Sequence, residues 1–502
     1  MDVLLDTNII IDREDSEVLP KNLKILMKNL SDLQIQKIIH PLSIQEIKKD
    51  SNLERRKVNE SKVLTYSILK NPPLFSKDLD FCSKISSKTH NDQIDNAILY
   101  SVYKNAADFL ITQDKGIHRK AFKIGISDRV LSIDDALSVF KVKELPIMPP
   151  SIYEDKFYNL DINDEIFNDL KEDYAEFIDW FNNHPRRNCL VYQKPNGKLG
   201  ALLVYKDEDE NIDLQGVSLP KKKRLKIATL VVSSTGNKIG EFFIQWAARY
   251  AIKKGFTEIY LTHFIKHDDY LVYLIEKYGF FNVGKNNYQN SKGEFEEVFI
   301  KYLNPTPEQL DKLNYPPEKI SQIFYPKFYD GTNVNKFVVP IKPEFHEKLF
   351  LDNERQSRLY EQQGFIVEGN AIKKAYLTRA PSNEINPGDI LLFYRTQDTK
   401  SITCIGVVEK DFHNFDNPNE IIKVVGKRTV YSPKDIGDLT DESRVMILLF
   451  TFSAWIPNKI KLKKLVELDI LKAHPQRIHK ISHEAYLKLK KEGGIDEGFT
   501  IN

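Results

Sequence analysis

The chain has 502 residues, enough for about three domains, and its 41% hydrophobic and 29% charged residues are ordinary for a globular protein. The formal net charge of +2 excludes an overall basic imbalance as a sign of nucleic-acid binding. Cys82, Cys189 and Cys404 lie far apart, which argues against a disulfide framework and a zinc site. With no signal peptide and no long apolar segment, the sequence predicts a cytoplasmic protein without a membrane span.

Residues 1–145 alternate short apolar runs with helical patterns. This alternation predicts a parallel sheet. The proline-rich segment Pro146–Pro150 follows and predicts a stiff linker at the first domain boundary. The predicted strands are Val3–Leu5, Ile38–Ile39, Phe109–Thr112 and Val130–Ile133.

Residues 151–303 open with helical, acid-rich sequence over Asp161–Trp180 and continue with strands of antiparallel character. The pattern predicts an α+β domain. The predicted elements are the strands Cys189–Tyr192, Gly200–Tyr205, Lys226–Val232 and Glu258–Thr262 and the helices Gly240–Lys254 and Tyr270–Tyr278.

Residues 304–335 are rich in Pro, Tyr and Asn, and we assign 304–364 to a connecting segment. Strand-like runs recur from residue 336 at a spacing that suggests a small β-barrel with helices, in a domain placed at 365–502. A basic helix is predicted over 480–491. The predicted strands are Phe337–Ile341, Ile390–Tyr394, Thr403–Val408, Ile421–Val425 and Val445–Phe450.

Acidic residues recur where the predicted strands of the first domain end. Asp6 closes the first strand, and Asp114 follows the strand Phe109–Thr112. Glu46 lies at a helix start after the second strand, and Asp92 and Asp95 share one face of the next helix. Because the carboxyl ends of parallel strands meet at one edge of a sheet, these acids are expected to converge.

Converging carboxylates repel each other, and Mg²⁺ or Mn²⁺ resolves that conflict because hard cations take oxygen ligands. Two such ions about 4 Å apart can activate a water and stabilise the leaving oxygen of a phosphodiester. Each acid alone also has a structural explanation. Ser43–Glu46 matches a capping box, Asp6 or Asp114 can cap a helix, and Asp92 and Asp95 can be solvated. The acids together favour the metal interpretation.

Residues 1–140 resemble the PIN domain family of metal-dependent nucleases. The matching segments are Val3–Asn8, Glu46, Asp95–Leu99 and Ala107–Lys115. The resemblance implies that Asp6, Glu46, Asp95 and Asp114 are the catalytic acids and metal ligands, with Asp92 as an alternative or supporting third ligand. Thr112 matches the family's small hydroxyl near the fourth acid. The implied chemistry is cleavage of single-stranded RNA by a metal-bound water, in a toxin with an antitoxin partner or in RNA processing.

The run Lys226–Glu241 combines a strand, a turn of small residues and a helix start, whose backbone amides can cradle a pyrophosphate. With the helix end at Leu274–Phe280, it resembles the GNAT acyltransferase family across 151–303. Lys238 replaces the first glycine of that family's turn, and Ile275 stands where a general-acid tyrosine is common. The alternative is a strand and helix with small residues for close packing. The resemblance implies acetyl-CoA binding by Val231, Val232, Gly236, Lys238, Ile239 and Gly240.

The strands Asn386–Arg395 and Thr403–Glu409 resemble the ASCH, PUA and EVE group of small barrels across 365–490, which is associated with binding RNA or modified bases. Aromatic faces would stack on bases and Lys or Arg would contact phosphates. The alternative is that the aromatic residues are core and the basic ones a solvated surface. The candidate residues are Tyr394, Arg395, Lys427, Arg428 and Trp455.

These observations give a multidomain α/β and α+β protein with two function hypotheses. The first is a ribonuclease whose GNAT-like and ASCH-like domains regulate it, for example through the acetyl-CoA level, or select its RNA. The second is a GNAT-type N-acetyltransferase that uses acetyl-CoA. The intact acids and the altered acetyl-transfer turn favour the first.

Overall fold

The structure is a computed structural model that describes residues 1–10, 21–49, 56, 63, 66–87, 89–140, 151–194, 197–233, 238–266, 269–305, 310, 314–350, 365–366, 372–379, 382–428, 430–495 and 497–502. These residues form two compact units. The first unit lies within 1–147 and 414–445, and the second within 148–234, 238–413 and 446–502. Over the described ranges, no helix has the length and apolar character needed to cross a bilayer. The chain is thus a mixed α/β protein in which the predicted second and third domains share one unit.

The first unit is built on a parallel five-stranded sheet, as its alternating sequence predicts. Its strands are β1 (Asp2–Leu5), β2 (Gln36–Ile39), β3 (Ser67–Ile68), β4 (Phe109–Ile111) and β5 (Val130–Leu131). Their order is β3-β2-β1-β4-β5, and every neighbouring pair is parallel. The apolar residues of the central strand β1 are fully buried, as expected for a parallel sheet covered on both faces. The carboxyl ends of β1 and β4 therefore lie side by side.

Helices connect these strands and supply most of the remaining core. The second of them, α2, starts at a proline after His40, whose Nδ1 accepts from the amide of Leu42 at 3.2 Å. Leu4, Leu110 and Ile98 meet in the core between sheet and helices. The helices within 1–147 are α1 (Lys21–Asp32), α2 (Pro41–Lys48), α3 (Leu79–Lys84), α4 (His90–Tyr103), α5 (Lys115–Lys123) and α6 (Ile133–Val139).

Residues 414–445 add two helices to the first unit, and the prediction of a strand over Ile421–Val425 is wrong. The segment is helix α13 (Pro418–Val425), which starts at a proline with Asn417 as its cap. Its β-branched residues resemble a strand, but Ile421, Ile422 and Val425 recur at helical spacing and are buried on one face. A second helix, α14 (Pro433–Glu442), follows a capping box.

The second unit contains an eight-stranded sheet, which confirms the strands predicted over 151–303. The sheet strands are β6 (Ser151–Lys156), β7 (Asn188–Gln193), β8 (Leu199–Leu214), β9 (Val217–Val232), β10 (Glu258–His263), β11 (Phe280–Gln289), β12 (Phe295–Tyr302) and β15 (Phe365–Ile366). Their order is β11-β12-β10-β9-β8-β7-β6-β15, and β9 and β10 are parallel neighbours. The helices are α7 (Asn168–Asp173), α8 (Phe177–Asn183), α9 (Ile239–Lys253) and α10 (Tyr270–Lys277). Residues of α9 and α10 bury one face of this sheet around Ile259 and Leu261.

A second, six-stranded sheet completes this unit. Its strands are β14 (Lys336–Ile341), β16 (Lys373–Thr378), β17 (Ile390–Arg395), β18 (Ser401–Phe415), β19 (Val445–Lys461) and β20 (His479–Ile481). The order is β16-β19-β18-β17-β14-β20, with β14 parallel to β17. β14 comes from the segment that the sequence assigns to a connection. Among the described residues the order ends at β16 and β20, so the closed barrel stays a prediction.

Short elements flank this second sheet. The predicted basic helix over 480–491 is confirmed as the last of them. The remaining elements are the helices α11 (Pro317–Ile323), α12 (Pro343–Leu349), α15 (Leu462–Glu467) and α16 (His483–Glu492), and the parallel strand pair β13 (Phe328–Tyr329) and β21 (Thr500–Ile501).

Candidate acidic site and candidate cofactor turn

Among the described acids of the first unit, Asp6 is the most enclosed, with 5% of its surface exposed. It follows β1 directly, where a helix begins at Thr7. Its Oδ2 accepts hydrogen bonds from Thr112 Oγ1 at 2.6 Å and Asn8 Nδ2 at 2.8 Å, and its Oδ1 accepts from the amide of Thr7 at 2.8 Å. Neutral donors from both strand ends therefore fix the carboxyl without neutralising its charge.

Glu46 and Asp114 are held at the same edge by different devices. Glu46 Oε2 accepts a 2.7 Å hydrogen bond from Thr7 Oγ1, which ties α2 to the end of β1. The alternative of a capping box at Ser43–Glu46 is wrong, because α2 is capped by His40 and Ser43 is buried inside the helix. Asp114 caps α5 by accepting from the amide of Ile117 at 2.9 Å, as its structural alternative predicts. Since that cap uses Oδ1, Oδ2 is the oxygen that can face a ligand.

Asp92 and Asp95 both contact a lysine that the sequence analysis does not single out. Lys120 Nζ lies 3.0 Å from Asp92 Oδ1 and 3.6 Å from Asp95 Oδ2. Asp92 also completes a capping box with Thr89 at the start of α4. These bonds give Asp92 a structural role, and its assignment as a metal ligand stays a prediction. We define the acidic site as Asp6, Glu46, Asp95 and Asp114.

The pKa shifts show that these acids influence one another. Burial raises the pKa of Asp6 to about 7, and the charges of Asp95 and Asp114 add to the rise against hydrogen bonds from Thr112 and Thr7. Burial likewise raises the pKa of Asp95 to about 6, with Lys120 opposing the rise and Asp114 and Glu46 adding to it. By contrast, the hydrogen bond from Lys120 is the main cause that lowers the pKa of Asp92 to about 2. Both shifts thus have burial as their largest cause, and the neighbouring carboxylate charges act in the same direction.

The residues of the acidic site carry the oxygen donors that a divalent cation prefers, but these donors are not placed to bind one. Carboxylate oxygens are the donors that Mg²⁺ and Mn²⁺ prefer, and a cation would relieve the repulsion that raises the pKa values of Asp6 and Asp95. However, the described residues contain no group of three or more His, Cys, Asp or Glu side chains placed to hold an ion. The expectation of a ready-formed metal site is thus corrected, and metal uptake would require the carboxylates to draw closer.

Sequence reasoning missed Lys120 as a member of this region. On α5 it is buried together with Ile117 and Ala121, at positions three and one residue away. A lysine on the apolar face of a helix rarely stays there without a carboxylate partner, so this position was the available signal. Thr7 and Asn8 carried a weaker signal, because short polar residues after a strand are usually helix caps.

The candidate cofactor turn lies between β9 and α9, and Gly236 falls outside the described residues. Val231 and Val232 end β9, and Lys238 has a left-handed backbone with a φ of 52° before Ile239 begins α9. A Cβ at Gly240 would lie 2.7 Å from Leu274 Cδ2 of α10. The glycine therefore permits close helix packing, as the structural alternative predicts, and its contact with a cofactor stays a prediction.

The strands β9 and β10 run in parallel but share only three paired positions. Pairing extends from Leu225 with Ile259 to Ile227 with Leu261. Beyond it, β9 continues for five residues along β8 to Val232, while β10 continues along β12 to His263. The two parallel strands are thus unpaired with each other at their carboxyl ends, a region that we call the gap between β9 and β10, at the edge where open α/β sheets bind ligands.

The predicted nucleic-acid contacts of β17 are corrected by the structure. Tyr394 is fully buried in the core of the second sheet, so its ring cannot stack on a base. The guanidinium of Arg395 is held by Asp398 and by Glu347, whose Oε1 lies 2.9 Å from Nη2. Carboxylates already occupy the donors that a phosphate would need.

The other three predicted contacts divide between the units. Arg428 belongs to the first unit, where its Nη2 lies 2.7 Å from Asp128 Oδ2, so its assignment to a barrel surface is corrected. The backbone of Lys427 lies in the turn Gly426–Arg428, and its side chain falls outside the described residues. Trp455 is partly exposed and packs against Phe350 with ring centroids 6.0 Å apart, so its role as a stacking residue stays a prediction.

No family model matches the chain, and no curated protein matches it. Solved structures that it resembles include the ASCH protein from Zymomonas mobilis, at 17% identity over 31% of this chain and 94% of that chain, with a TM-score of 0.24. An N-acetyltransferase from Staphylococcus aureus Mu50 gives 14% identity over 30% and 96%, with a TM-score of 0.23. The NatC complex bound to Gag peptide and CoA gives 20% identity over 30% and 99%, with a TM-score of 0.22. These likenesses name an ASCH protein and acetyltransferases, and they do not show a PIN domain.

Proposed function

We propose that the first unit is a metal-dependent ribonuclease whose acidic site takes up Mg²⁺ or Mn²⁺. The observation that carries the proposal is the electrostatic coupling of Asp6, Asp95, Asp114 and Glu46 at the carboxyl edge of a parallel sheet. A fold gains nothing in stability from burying carboxylates that repel each other, so their convergence indicates a cationic ligand.

The chain's own residues position the acids for that ligand. Thr112 holds Asp6 and Thr7 holds Glu46 at the carboxyl edge of the sheet, from where the carboxylates would move closer together to take up an ion. Lys120 pairs with Asp92 at 3.0 Å and keeps a positive charge 3.6 Å from Asp95. A bound Mg²⁺ or Mn²⁺ would supply the positive charge that acidifies a water and polarises a phosphodiester. RNA is the substrate that the resemblance of residues 1–140 to PIN domains implies, and its phosphates could approach this acidic edge only beside such a charge.

The test is cleavage of labelled single-stranded RNA by the full chain in Mn²⁺ and in EDTA. Asp6→Asn and Asp114→Asn remove one carboxylate each and keep its shape, whereas Asp80→Asn removes an exposed acid that pairs with its helical neighbour Lys84. We expect cleavage in Mn²⁺ by the wild type and Asp80→Asn, and at least a hundredfold loss in the two acidic-site variants. Cleavage that persists in EDTA, or in Asp6→Asn, would sink the proposal.

The gap between β9 and β10 favours a second candidate function, the binding and use of acetyl-CoA by the second unit. Two parallel strands that diverge beyond Ile227 and Leu261, each followed by a helix, can admit an extended ligand between them. The test is calorimetric titration of the full chain with acetyl-CoA. A Val231→Trp variant places a large side chain at the carboxyl end of β9, where Val231 packs beside Leu202, and should abolish binding at this edge, with Val217→Trp, an exposed position at the other end of β9, as the control. Equal binding by both variants would contradict this placement.

A further inference from the structure

A histidine and an aspartate pair at the carboxyl end of β10. His263 is the last residue of that strand, and its Nε2 lies 2.7 Å from Asp269 Oδ2. Asp269 is the cap of α10, and its Oδ1 accepts from the amides of Leu271 at 3.0 Å and Val272 at 3.3 Å. Its Oδ2 also accepts from the amide of Lys266 at 3.0 Å. The aspartate is therefore fixed by three backbone amides and in turn fixes the imidazole.

This pairing defines which nitrogen of the imidazole is available. Burial alone raises the pKa of Asp269, but the hydrogen bonds from His263 and from the amides of Lys266 and Val272 hold it below its ordinary value. A carboxylate at Nε2 stabilises the tautomer that carries its proton there, which leaves the Nδ1 lone pair facing away from Asp269. The His263 side chain is 22% exposed, so a substrate can reach it.

His263 lies next to the gap between β9 and β10. Because the two strands are parallel, their carboxyl ends lie at the same edge, and His263 is two residues beyond the last paired residue, Leu261. The helices that follow the two strands touch there, since a Cβ on Gly240 of α9 would meet Leu274 of α10. Ile259 and Leu261 face these helices in the core, and the alternation of β10 puts His263 on the same face.

We propose that His263, oriented by Asp269, is the general base of an acyl-transfer site at this edge; the proposal rests on the use of acetyl-CoA by the second unit. In the transfer, the nitrogen of an amine forms a bond to the acyl carbon of the thioester. The carbon–sulfur bond breaks, its electron pair leaves with sulfur as the thiolate, and the amine proton passes to Nδ1 of His263. The dyad thus supplies the proton acceptor of the transfer.

Glu297 of β12 is the register partner of His263 and so projects from the same face of the sheet. Its carboxylate is already held by Asn282 Nδ2 at 2.9 Å and by Lys285 Nζ at 3.4 Å. Its charge is thus already offset, and the amine that reacts at the dyad is a neutral one whose proton passes to Nδ1 of His263.

The first test is modification of the histidines of the full chain by diethyl pyrocarbonate, followed by mass spectrometry with and without CoA. His413 is a matched control within the second unit, because its Nε2 lies 2.9 Å from Asp411 Oδ2 and its exposure is similar. Its Nδ1, however, is buried and has no hydrogen-bond partner among the described residues. We expect saturating CoA to slow modification of His263 at least tenfold and to leave His413 unchanged.

Calorimetry with CoA separates the two possible failures. If CoA binds and modification of His263 is unchanged, the dyad is not at the cofactor edge, although the use of acetyl-CoA stands. If CoA does not bind, the use of acetyl-CoA fails, and the dyad proposal fails with it.

The second test is thiol release from acetyl-CoA with spermidine as the amine probe. General-base catalysis typically contributes about 10²–10⁴-fold, so His263→Gln should lower kcat at least a hundredfold with KM for acetyl-CoA unchanged. His413→Gln should keep the wild-type kcat. An equal kcat in His263→Gln, or no thiol release by the wild type, would overturn the transfer step.

Discussion

Replacing Asp6 by Asn should remove a pH dependence of stability that the acidic site imposes on the first unit. Asp6 ionises at about pH 7 in the folded chain, against 3.8 for an ordinary aspartate, mainly because it is buried. Between these two values the folded state holds a proton that the unfolded state has lost. The sign follows directly: stability from this group is fully present below about pH 4 and is lost as the pH rises through 7.

The size of the effect follows from the shift. The difference between about 7 and 3.8, at 1.36 kcal/mol per pH unit, gives about 4 kcal/mol of stability lost from Asp6 between pH 4 and pH 8. Asp95, whose pKa is raised to about 6, adds a further loss of stability with rising pH, which occurs as the pH passes through about 6. Mn²⁺ should reverse both losses, because it favours the ionised carboxylates.

Hydrogen exchange of the β1 amides measures this free energy within the first unit, without unfolding the rest of the chain. In EDTA, and after correction for the intrinsic exchange rate, the wild-type free energy of opening should fall between pH 5 and pH 8. The Asp6→Asn variant should show a clearly smaller fall, and Asp80→Asn should follow the wild type. Equal slopes in the wild type and Asp6→Asn, or a wild-type free energy that rises with pH, would refute the reasoning.

Three further substitutions test individual contacts. Thr112→Val removes the hydroxyl that donates to Asp6, a hydrogen bond to a charged group that contributes about 1.5–3 kcal/mol. The variant should therefore lose RNA cleavage by roughly 10- to 150-fold, whereas Thr112→Ser should retain it. Arg428→Ala removes the guanidinium 2.7 Å from Asp128 and should destabilise the first unit by about 1–3 kcal/mol in hydrogen-exchange measurements, with RNA affinity unchanged. A loss of RNA affinity without destabilisation would restore the assignment of Arg428 as an RNA contact. Gly240→Ala forces a Cβ to 2.7 Å from Leu274 and should lower the stability of the second unit by about 1–3 kcal/mol. A loss of acetyl-CoA binding without destabilisation would instead favour direct contact between Gly240 and the cofactor.

The parallel sheet of the first unit was predictable because its strands are short, apolar and separated by helical patterns. Val3–Leu5 and Phe109–Ile111 are buried on both faces of the sheet. Such short, continuous apolar runs are recognisable as buried strands from the sequence alone. The convergence of Asp6 and Asp114 followed from the same rule, since parallel strands bring their carboxyl ends to one edge. The acidic site was therefore available from sequence before any contact was known.

The assignments that failed depended on which side chains meet across the fold. Arg428 has a carboxylate partner 300 positions earlier in the chain, and Lys120 reaches Asp92 across two helices. No local pattern encodes such pairs. Tyr394 follows four apolar residues at the end of β17, and only the packing of the second sheet shows that its ring is core.

The helix at Pro418–Val425 shows a different limit. Its β-branched residues favour a strand by propensity, while the proline at its start and the Asn417 cap favour a helix. Burial of Ile421, Ile422 and Val425 on one face decides in favour of the helix. Tertiary packing overrides propensity in a segment this short.

Uptake of a divalent cation by the four carboxylates separates a nuclease site from a merely structural acidic cluster. Loss of the free Mn²⁺ signal in electron paramagnetic resonance, on titration of the full chain at pH 8, measures it directly. We expect the wild type and Asp80→Asn to bind Mn²⁺ and Asp6→Asn to bind at least tenfold more weakly. Mn²⁺ that stays free in the presence of the wild type, or that binds equally to Asp6→Asn, would contradict the assignment of the acidic site.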